Sequence, residues 1–187
     1  STKVAGFGGI FCADTALVQR LEPRYRCQMT DLPVLYSFRR CPYAMRARMA
    51  LAASGAEVML REVLLQDKPP ELVAASPKAT VPVLVLSDGQ VIEESLDVMQ
   101  WALEHSDPLG WLEGAALDSE WISECDEGFK HCLDRYKYAE RYPEHTAEDC
   151  RQNAEGFIQR LEDQLSVSDW MGGGAANAVD VALFPFI

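Results

Sequence analysis

The chain has 187 residues, of which 48% are hydrophobic, and it carries a formal net charge of −12 with a pI of about 4.6. A chain of this length and composition can bury one substantial core or two small ones. Its negative charge argues against nucleic acid or an anionic membrane surface as a general partner, and no apolar run is long enough to span a bilayer.

The first 31 residues differ in character from the rest of the chain. They contain glycines, show weak hydrophobic periodicity and carry four basic side chains against three acidic ones. They also lack the basic region followed by an apolar region that marks a secretory signal. We therefore expect residues 1–31 to form a poorly structured appendage and the protein to be cytoplasmic.

The next segments alternate between strand and helix patterns. Residues 33–37 form an apolar run of strand length, and residues 42–54 are rich in Ala, Met, Arg and Leu, which favour a helix. Gly55 is suited to end that helix. A second strand is predicted at residues 57–63 and a short helix at residues 70–76.

A hairpin and a further helix come next along the chain. Residues 82–86 predict a third strand, Asp88-Gly89 is a strong two-residue turn signal, and Val91-Ile92 predicts the returning strand. Residues 95–105 resume helical periodicity. The predicted order is βαβ, helix, ββ, helix.

No strand pattern appears in the second half of the chain. Residues 106–110 have the composition of a turn, and two long helical stretches are predicted near residues 117–142 and 147–165. A run of three glycines, 172–174, precedes a last apolar segment at residues 178–187.

Cys41 carries the clearest chemical signal. Because proline suits the first position of a helix, Pro42 places Cys41 at the N-cap. A thiol there faces unpaired backbone N–H groups and the positive end of the helix dipole, and Arg39 and Arg40 add positive charge. Cysteines in such surroundings have a pKa about one to five units below the free value of about 8.5, which makes them nucleophiles. The alternative is a buried, inert cysteine.

The other five cysteines give no comparable signal. The spacings of the six contain no CxxC, no zinc pattern and no compact disulfide framework. Cys125 and Cys132, seven residues apart on one predicted helix, are too distant for a disulfide and are expected to be packing residues. His131 lies beside Cys132, but no further ligands are spaced to join them, so we expect no metal site.

Four short motifs succeed one another along the chain. They are Cys41-Pro42-Tyr43-Ala44, Thr80-Val81-Pro82-Val83, Glu94-Ser95 and Asn177-Ala178-Val179-Asp180. Each is weak alone. In this order and spacing, over roughly residues 32–187, they resemble the glutathione S-transferase family, specifically its cysteine-type, omega-like bacterial members.

This resemblance implies the fold and the domain boundaries. A thioredoxin-like α/β domain that binds glutathione is expected at residues 32–105, a linker at 106–113 and an all-helical domain at 114–187. The helical domain of the family continues for several more helices, whereas this sequence stops at Ile187. The resemblance therefore implies a partial helical domain in an apparently truncated chain.

The resemblance also implies residues that bind glutathione. The proline matching Pro82 is cis in the family, and the backbone of Val81 would pair with the cysteinyl part of glutathione. Ser95 would receive the γ-glutamyl carboxylate, and Glu94 would accept from its ammonium group. The alternatives are an ordinary proline at the start of a strand and simple helix capping by Glu94 and Ser95.

Lys78 and Phe38 complete the implied glutathione site. Lys78 is a candidate for the glycyl carboxylate, although an isolated lysine in a loop is usually only solvated. Asn177 and Asp180 resemble the capping box of the family, for which a structural role is expected.

The implied chemistry centres on Cys41. Its thiolate would attack a mixed disulfide or a small electrophile bearing glutathione, and a second glutathione, acting as co-substrate, would release the adduct. Ala44 leaves no resolving thiol, so we expect a monothiol glutathione thioltransferase or reductase, with homodimers usual in the family. A conventional conjugating transferase that uses Tyr36 or Tyr43, and a non-catalytic adaptor, are the alternatives.

Overall fold

The computed structural model describes residues 32–187, so the predicted appendage at 1–31 lies outside the described residues. The strands are β1 (Val34–Ser37), β2 (Met59–Glu62), β3 (Val83–Val85) and β4 (Val91–Ile92). The helices are α1 (Pro42–Ser54), α2 (Pro70–Ala75), α3 (Ser95–His105), α4 (Glu120–Glu124), α5 (Lys130–Lys137), α6 (Ala147–Leu165) and α7 (Ala178–Leu183). None of these helices combines the length and the apolar character that crossing a bilayer requires.

The four strands form one mixed sheet in the order β2-β1-β3-β4. β1 pairs in parallel with β2 and antiparallel with β3, and β3 pairs antiparallel with β4. The predicted hairpin is confirmed: Gly89 has a φ of +88° in the turn, and Asp88 accepts a hydrogen bond from the Gln90 amide at 2.9 Å. The order βαβ, helix, ββ, helix is the thioredoxin-like arrangement that the resemblance implies.

Local signals define α1 at both ends. Cys41 is its N-cap residue, Pro42 is its first residue, and Gly55 ends it with a φ of +74° that favours glycine. Ala47 and Ala50 are fully buried in the core that α1 shares with α3. Small side chains at these positions let the two helices approach closely, which fixes the direction of the Cys41 end of α1.

The helical part differs in one respect from the prediction. The single stretch predicted near residues 117–142 is interrupted, because a π-helical turn at Cys125–Phe129 separates α4 from α5, and a 3₁₀ turn at Ala139–Arg141 comes after α5. A π-turn adds one residue to a helical turn, a local change that the hydrophobic period does not reveal. It buries Cys125 and Phe129 and carries Asp126 between them.

One hydrophobic cluster runs through both parts of the molecule. It joins Leu35 and Leu84 of the sheet to Val98 of α3, Phe157 of α6 and Val181 of α7. A second, small cluster gathers around buried side chains of β3, α2 and the segments beside β2 and β3. The sheet-containing part and the helices after it therefore pack as one body, and groups along their boundary are held in place from both sides.

Candidate active site

Cys41 and Val81 are the two residues that the fold brings together at the start of α1. The Cys41 thiol donates to the Val81 carbonyl oxygen across 3.5 Å, although the two residues are forty positions apart. Cys41 is partly exposed, and its side chain makes no capping hydrogen bond to α1. The Val81–Pro82 peptide bond is cis. A partly exposed thiol therefore lies beside the bend that precedes β3, at the amino end of a helix.

The turn that precedes Cys41 is clamped by Arg48, which reaches back from α1. The Cys41 amide donates to the Phe38 carbonyl at 3.0 Å, which closes a turn with two exposed arginines at its centre. Arg48 donates to the Phe38 carbonyl at 3.3 Å, to the Arg39 carbonyl at 3.0 Å and to the Ser37 hydroxyl. A planar guanidinium with several donors suits this task, because it satisfies three acceptors at once.

Lys78 and Glu94 form an ion pair at the start of α3. Their side chains are 3.0 Å apart and 60% and 66% exposed, and the Glu94 carboxylate makes no capping bond to the helix. A hydrogen bond to Glu94 and the charge of that carboxylate raise the pKa of Lys78. Both charges are therefore accessible to a ligand, and at present each is held by the other.

The sequence reasoning missed a buried arginine that holds Ser95. The Arg46 Nε atom donates to the Ser95 hydroxyl at 3.0 Å, and its two terminal nitrogens donate to the Asp126 carboxylate at 3.0 and 2.6 Å. Arg46 is 2% exposed, and its guanidinium lies over the rings of Tyr43 and Phe186. Because the oxygen of Ser95 accepts from Arg46, its own proton is left to donate to another group.

One signal for this arrangement was present in the sequence. Arg46 lies beside Ala47 on the face of α1 that packs in the core, where an unpaired charge is costly. That position requires an acidic partner. The partner, Asp126, lies eighty residues away in the π-helical turn, so the pattern near Arg46 cannot identify it.

Two tyrosines lie near Cys41 in the sequence, and both pack against other side chains. Tyr36 lies in β1 and packs against the small core cluster. Tyr43 packs edge-on against Phe186 with ring centres 5.0 Å apart, and burial together with the Asp126 charge raises the pKa of Tyr43 to about 12. The Tyr43 phenol therefore stays protonated at neutral pH.

The remaining predicted residues have structural positions. Asn177 caps α7 by accepting from the Val179 amide at 2.9 Å, and the Asn177 amide donates to Asp180 at 3.1 Å. The Ala178 amide donates to the Trp111 carbonyl at 2.8 Å and so ties α7 to the segment after α3. This capping box is a fold element rather than part of the site around Cys41.

Two of the other described cysteines have thiols that ionise less readily than a free thiol. Burial raises the pKa of the Cys125 thiol to about 12, and it also raises the pKa of the Cys132 thiol. Within residues 32–187, no group of three or more His, Cys, Asp or Glu side chains is arranged to hold a metal ion.

Comparison with known proteins agrees with this architecture. A sequence model described as "Glutathione S-transferase, N-terminal domain" matches residues 35–110. A probable glutathione S-transferase of Nicotiana plumbaginifolia is 31% identical over 160 residues, which covers 82% of this chain and 71% of the relative. The chain belongs to the glutathione S-transferase family.

Two further relatives bear on the site of this family member. The omega-1 glutathione S-transferase of Sus scrofa is 39% identical over 61 residues, or 33% of this chain and 25% of the relative. A rice glutathione S-transferase solved in complex with glutathione is 25% identical, has a TM-score of 0.66, and is matched over 82% of this chain and 74% of its own. The thioredoxin-like domain followed by helices, expected from sequence, is thereby confirmed.

Proposed function

We propose that this glutathione transferase is a cysteine-dependent thioltransferase in which Cys41 forms a mixed disulfide with glutathione. The observation that carries the proposal is the partly exposed Cys41 thiol at the amino end of α1, 3.5 Å from the Val81 carbonyl. The Cys41 side chain makes no capping hydrogen bond to α1, so its sulfur is not tied to the helix that it begins. The similarity to an omega-1 relative over 61 residues supports the omega-like resemblance from which a cysteine-based site is expected.

The reaction has two exchange steps. The Cys41 thiolate attacks the glutathione sulfur of a mixed disulfide, the disulfide bond breaks, and the other half leaves as a thiolate that takes up a proton. A second glutathione, as its thiolate, then attacks the glutathione sulfur on Cys41 and releases oxidised glutathione. Ala44 is fully buried and carries no thiol, so a dithiol cycle within this motif is not available.

The glutathione molecule would be held by groups on three segments. The Val81 backbone would pair with its cysteinyl part, and the Ser95 hydroxyl would donate to the γ-glutamyl carboxylate. Glu94 would accept from the ammonium group, and Lys78 would bind the glycyl carboxylate. Lys78 and Glu94 pair with each other in the free protein. On binding, Lys78 would pair with the glycyl carboxylate instead of Glu94, and Glu94 with the ammonium group instead of Lys78.

Turnover of a glutathione mixed disulfide by Cys41→Ser tests the proposal. We expect Cys41→Ser to lose reductase turnover, and Cys132→Ser, which removes another partly exposed thiol, to keep it. Conjugation of glutathione to an aryl halide, measured on the same proteins, reports the conventional alternative. Reductase turnover that survives Cys41→Ser would contradict the mechanism.

A further inference from the structure

Arg39 and Arg40, the rim arginines, immediately precede Cys41 and its partly exposed thiol. Arg39 and Arg40 occupy the centre of the turn that the hydrogen bond from the Cys41 amide to the Phe38 carbonyl closes, and both side chains are exposed. Because the turn ends at Cys41 itself, both guanidinium groups lie on side chains one and two residues from the thiol. Their long side chains can reach a substrate bound at Cys41.

Neither guanidinium has a partner within residues 32–187: neither takes part there in an ion pair, a side-chain hydrogen bond or a stacking contact with an aromatic ring. Arg48, by contrast, uses its donors on the backbone of the same turn and the end of β1. As far as the described residues go, the two rim arginines are therefore available to a ligand.

The charge of the rim differs from that of the molecule. The chain carries a net charge of −12, yet this one turn contains two arginines and binds the guanidinium of a third, Arg48. The acidic group bound to the turn is Glu62, whose carboxylate accepts from the Arg39 amide at 2.9 Å and offsets part of that charge. A local field of opposite sign to the whole protein selects between charged substrates, since field lines concentrate at the entrance of a site.

We propose that Arg39 and Arg40 make the thiol selective for a second substrate that carries a carboxylate, sulfonate or phosphate close to its reacting sulfur. This inference rests on the proposed function in taking Cys41 as the nucleophile. In the exchange step, the Cys41 sulfur bonds to the glutathione sulfur, and the bond between the glutathione sulfur and the substrate sulfur breaks. The substrate leaves as a thiolate that also carries its own carboxylate, sulfonate or phosphate. Arg39 and Arg40 then stabilise the two negative charges of this leaving group until its thiolate takes up a proton.

Alkylation of Cys41 by iodoacetate and by iodoacetamide measures this selectivity without glutathione. The two reagents share the attacked carbon and the iodide leaving group and differ in charge, so the ratio of their rate constants reports the local potential. The rate constants are read by mass spectrometry of the Cys41 peptide from a chymotryptic digest. The variant is Arg39→Gln/Arg40→Gln, and the matched control is Arg141→Gln/Arg151→Gln, which removes two exposed charges from the helical part.

We expect the iodoacetate to iodoacetamide ratio to fall about three- to tenfold in Arg39→Gln/Arg40→Gln at low salt, and by less at high salt. The control should keep the wild-type ratio. An unchanged ratio in the rim variant, or an equal fall in both variants, would overturn the inference.

A second measurement separates this inference from the proposed function. Mixed disulfides of glutathione with 3-mercaptopropionate and with cysteamine differ in the charge beside the exchanged sulfur. Wild type should turn over the anionic disulfide faster, and the rim variant should lose that preference. If neither disulfide is turned over while the alkylation ratio behaves as expected, the thioltransferase function fails and the anion-selective rim stands. If both are turned over equally by wild type, the rim does not select the substrate.

Discussion

Arg46 of α1 and Asp126 of the π-helical turn form a two-point ion pair across the boundary between the sheet and the helical part. The nitrogen to oxygen distances are 3.0 and 2.6 Å, and the side chains are 2% and 21% exposed. The Arg46 Nε atom donates to the Ser95 hydroxyl at the start of α3. The position of a proposed glutathione ligand thus depends on a residue of the helical part.

Removing one partner of this pair should destabilise the protein strongly. Arg46→Met leaves Asp126 largely buried without a counter-charge, which should lower the free energy of unfolding by about 3–5 kcal/mol. Urea denaturation measures the change. The double variant Arg46→Met/Asp126→Leu should recover much of the loss, because it leaves no buried charge unpaired. A single variant as stable as wild type would show that the pair contributes little.

The exposed pair Lys78–Glu94 should matter for binding and not for stability. Lys78→Gln or Glu94→Gln removes one charge-assisted contact to glutathione, so each should raise the KM for glutathione about tenfold. Steady-state kinetics and thermal melts on the same samples separate the two effects. Arg151→Gln, which breaks a comparable exposed pair with Glu155 on α6, is the control and should leave the KM unchanged. Equal KM values in all of these variants would remove Lys78 and Glu94 from the site.

Much of the fold could be predicted because its signals are local. Pro42 and Gly55 define both ends of α1, the Asp88-Gly89 turn defines the hairpin, and the hydrophobic period defines α6 to the residue. The π-helical turn at Cys125–Phe129 could not be predicted, because one added residue disturbs a helical period too little to be seen.

The site was predictable only in part, for a different reason. Residue type and position at a helix start single out Cys41, and the family resemblance points to Val81 and Ser95; the topology then places Val81 against the Cys41 thiol. The contacts of Arg46 and Arg48 depend on which acceptors the folded chain brings within reach. A charged residue on a buried helix face predicts that a partner exists but does not identify it.

Loss of the Arg48 clamp should loosen the turn that carries Cys41. Arg48→Met removes the donor to the Ser37 hydroxyl and the Arg39 carbonyl and leaves the Phe38 carbonyl with the Cys41 amide alone, which should cost about 1–3 kcal/mol of stability. Hydrogen exchange of the Cys41 amide should become faster, and kcat should fall more than the KM for glutathione rises. Arg48→Lys keeps the charge but loses the planar guanidinium with its several donors, so it should restore only part of the activity. Wild-type exchange at Cys41 in Arg48→Met would contradict this role.

Alkaline pH should destabilise the protein through Cys125. Burial raises the pKa of this thiol from 9.0 to about 12, so the folded state keeps the proton that the unfolded state releases. The stabilisation is complete below pH 9 and is lost as the pH rises toward 12. Melting temperatures between about pH 8 and 10 should fall less steeply in Cys125→Ala than in wild type. The melting temperature of Cys125→Ala should still fall somewhat with rising pH, because the pKa of Cys132 is also raised. Equal slopes in the two proteins would contradict the assignment.

Formation of a mixed disulfide between Cys41 and glutathione is the central claim, and peptide mass spectrometry after brief exposure to oxidised glutathione tests it most directly. The Cys41 peptide should gain one glutathione, and added reduced glutathione should remove it. Cys125 and Cys150, which are buried, should stay unmodified. A Cys41 peptide that remains unmodified at concentrations of oxidised glutathione that saturate turnover would contradict the account.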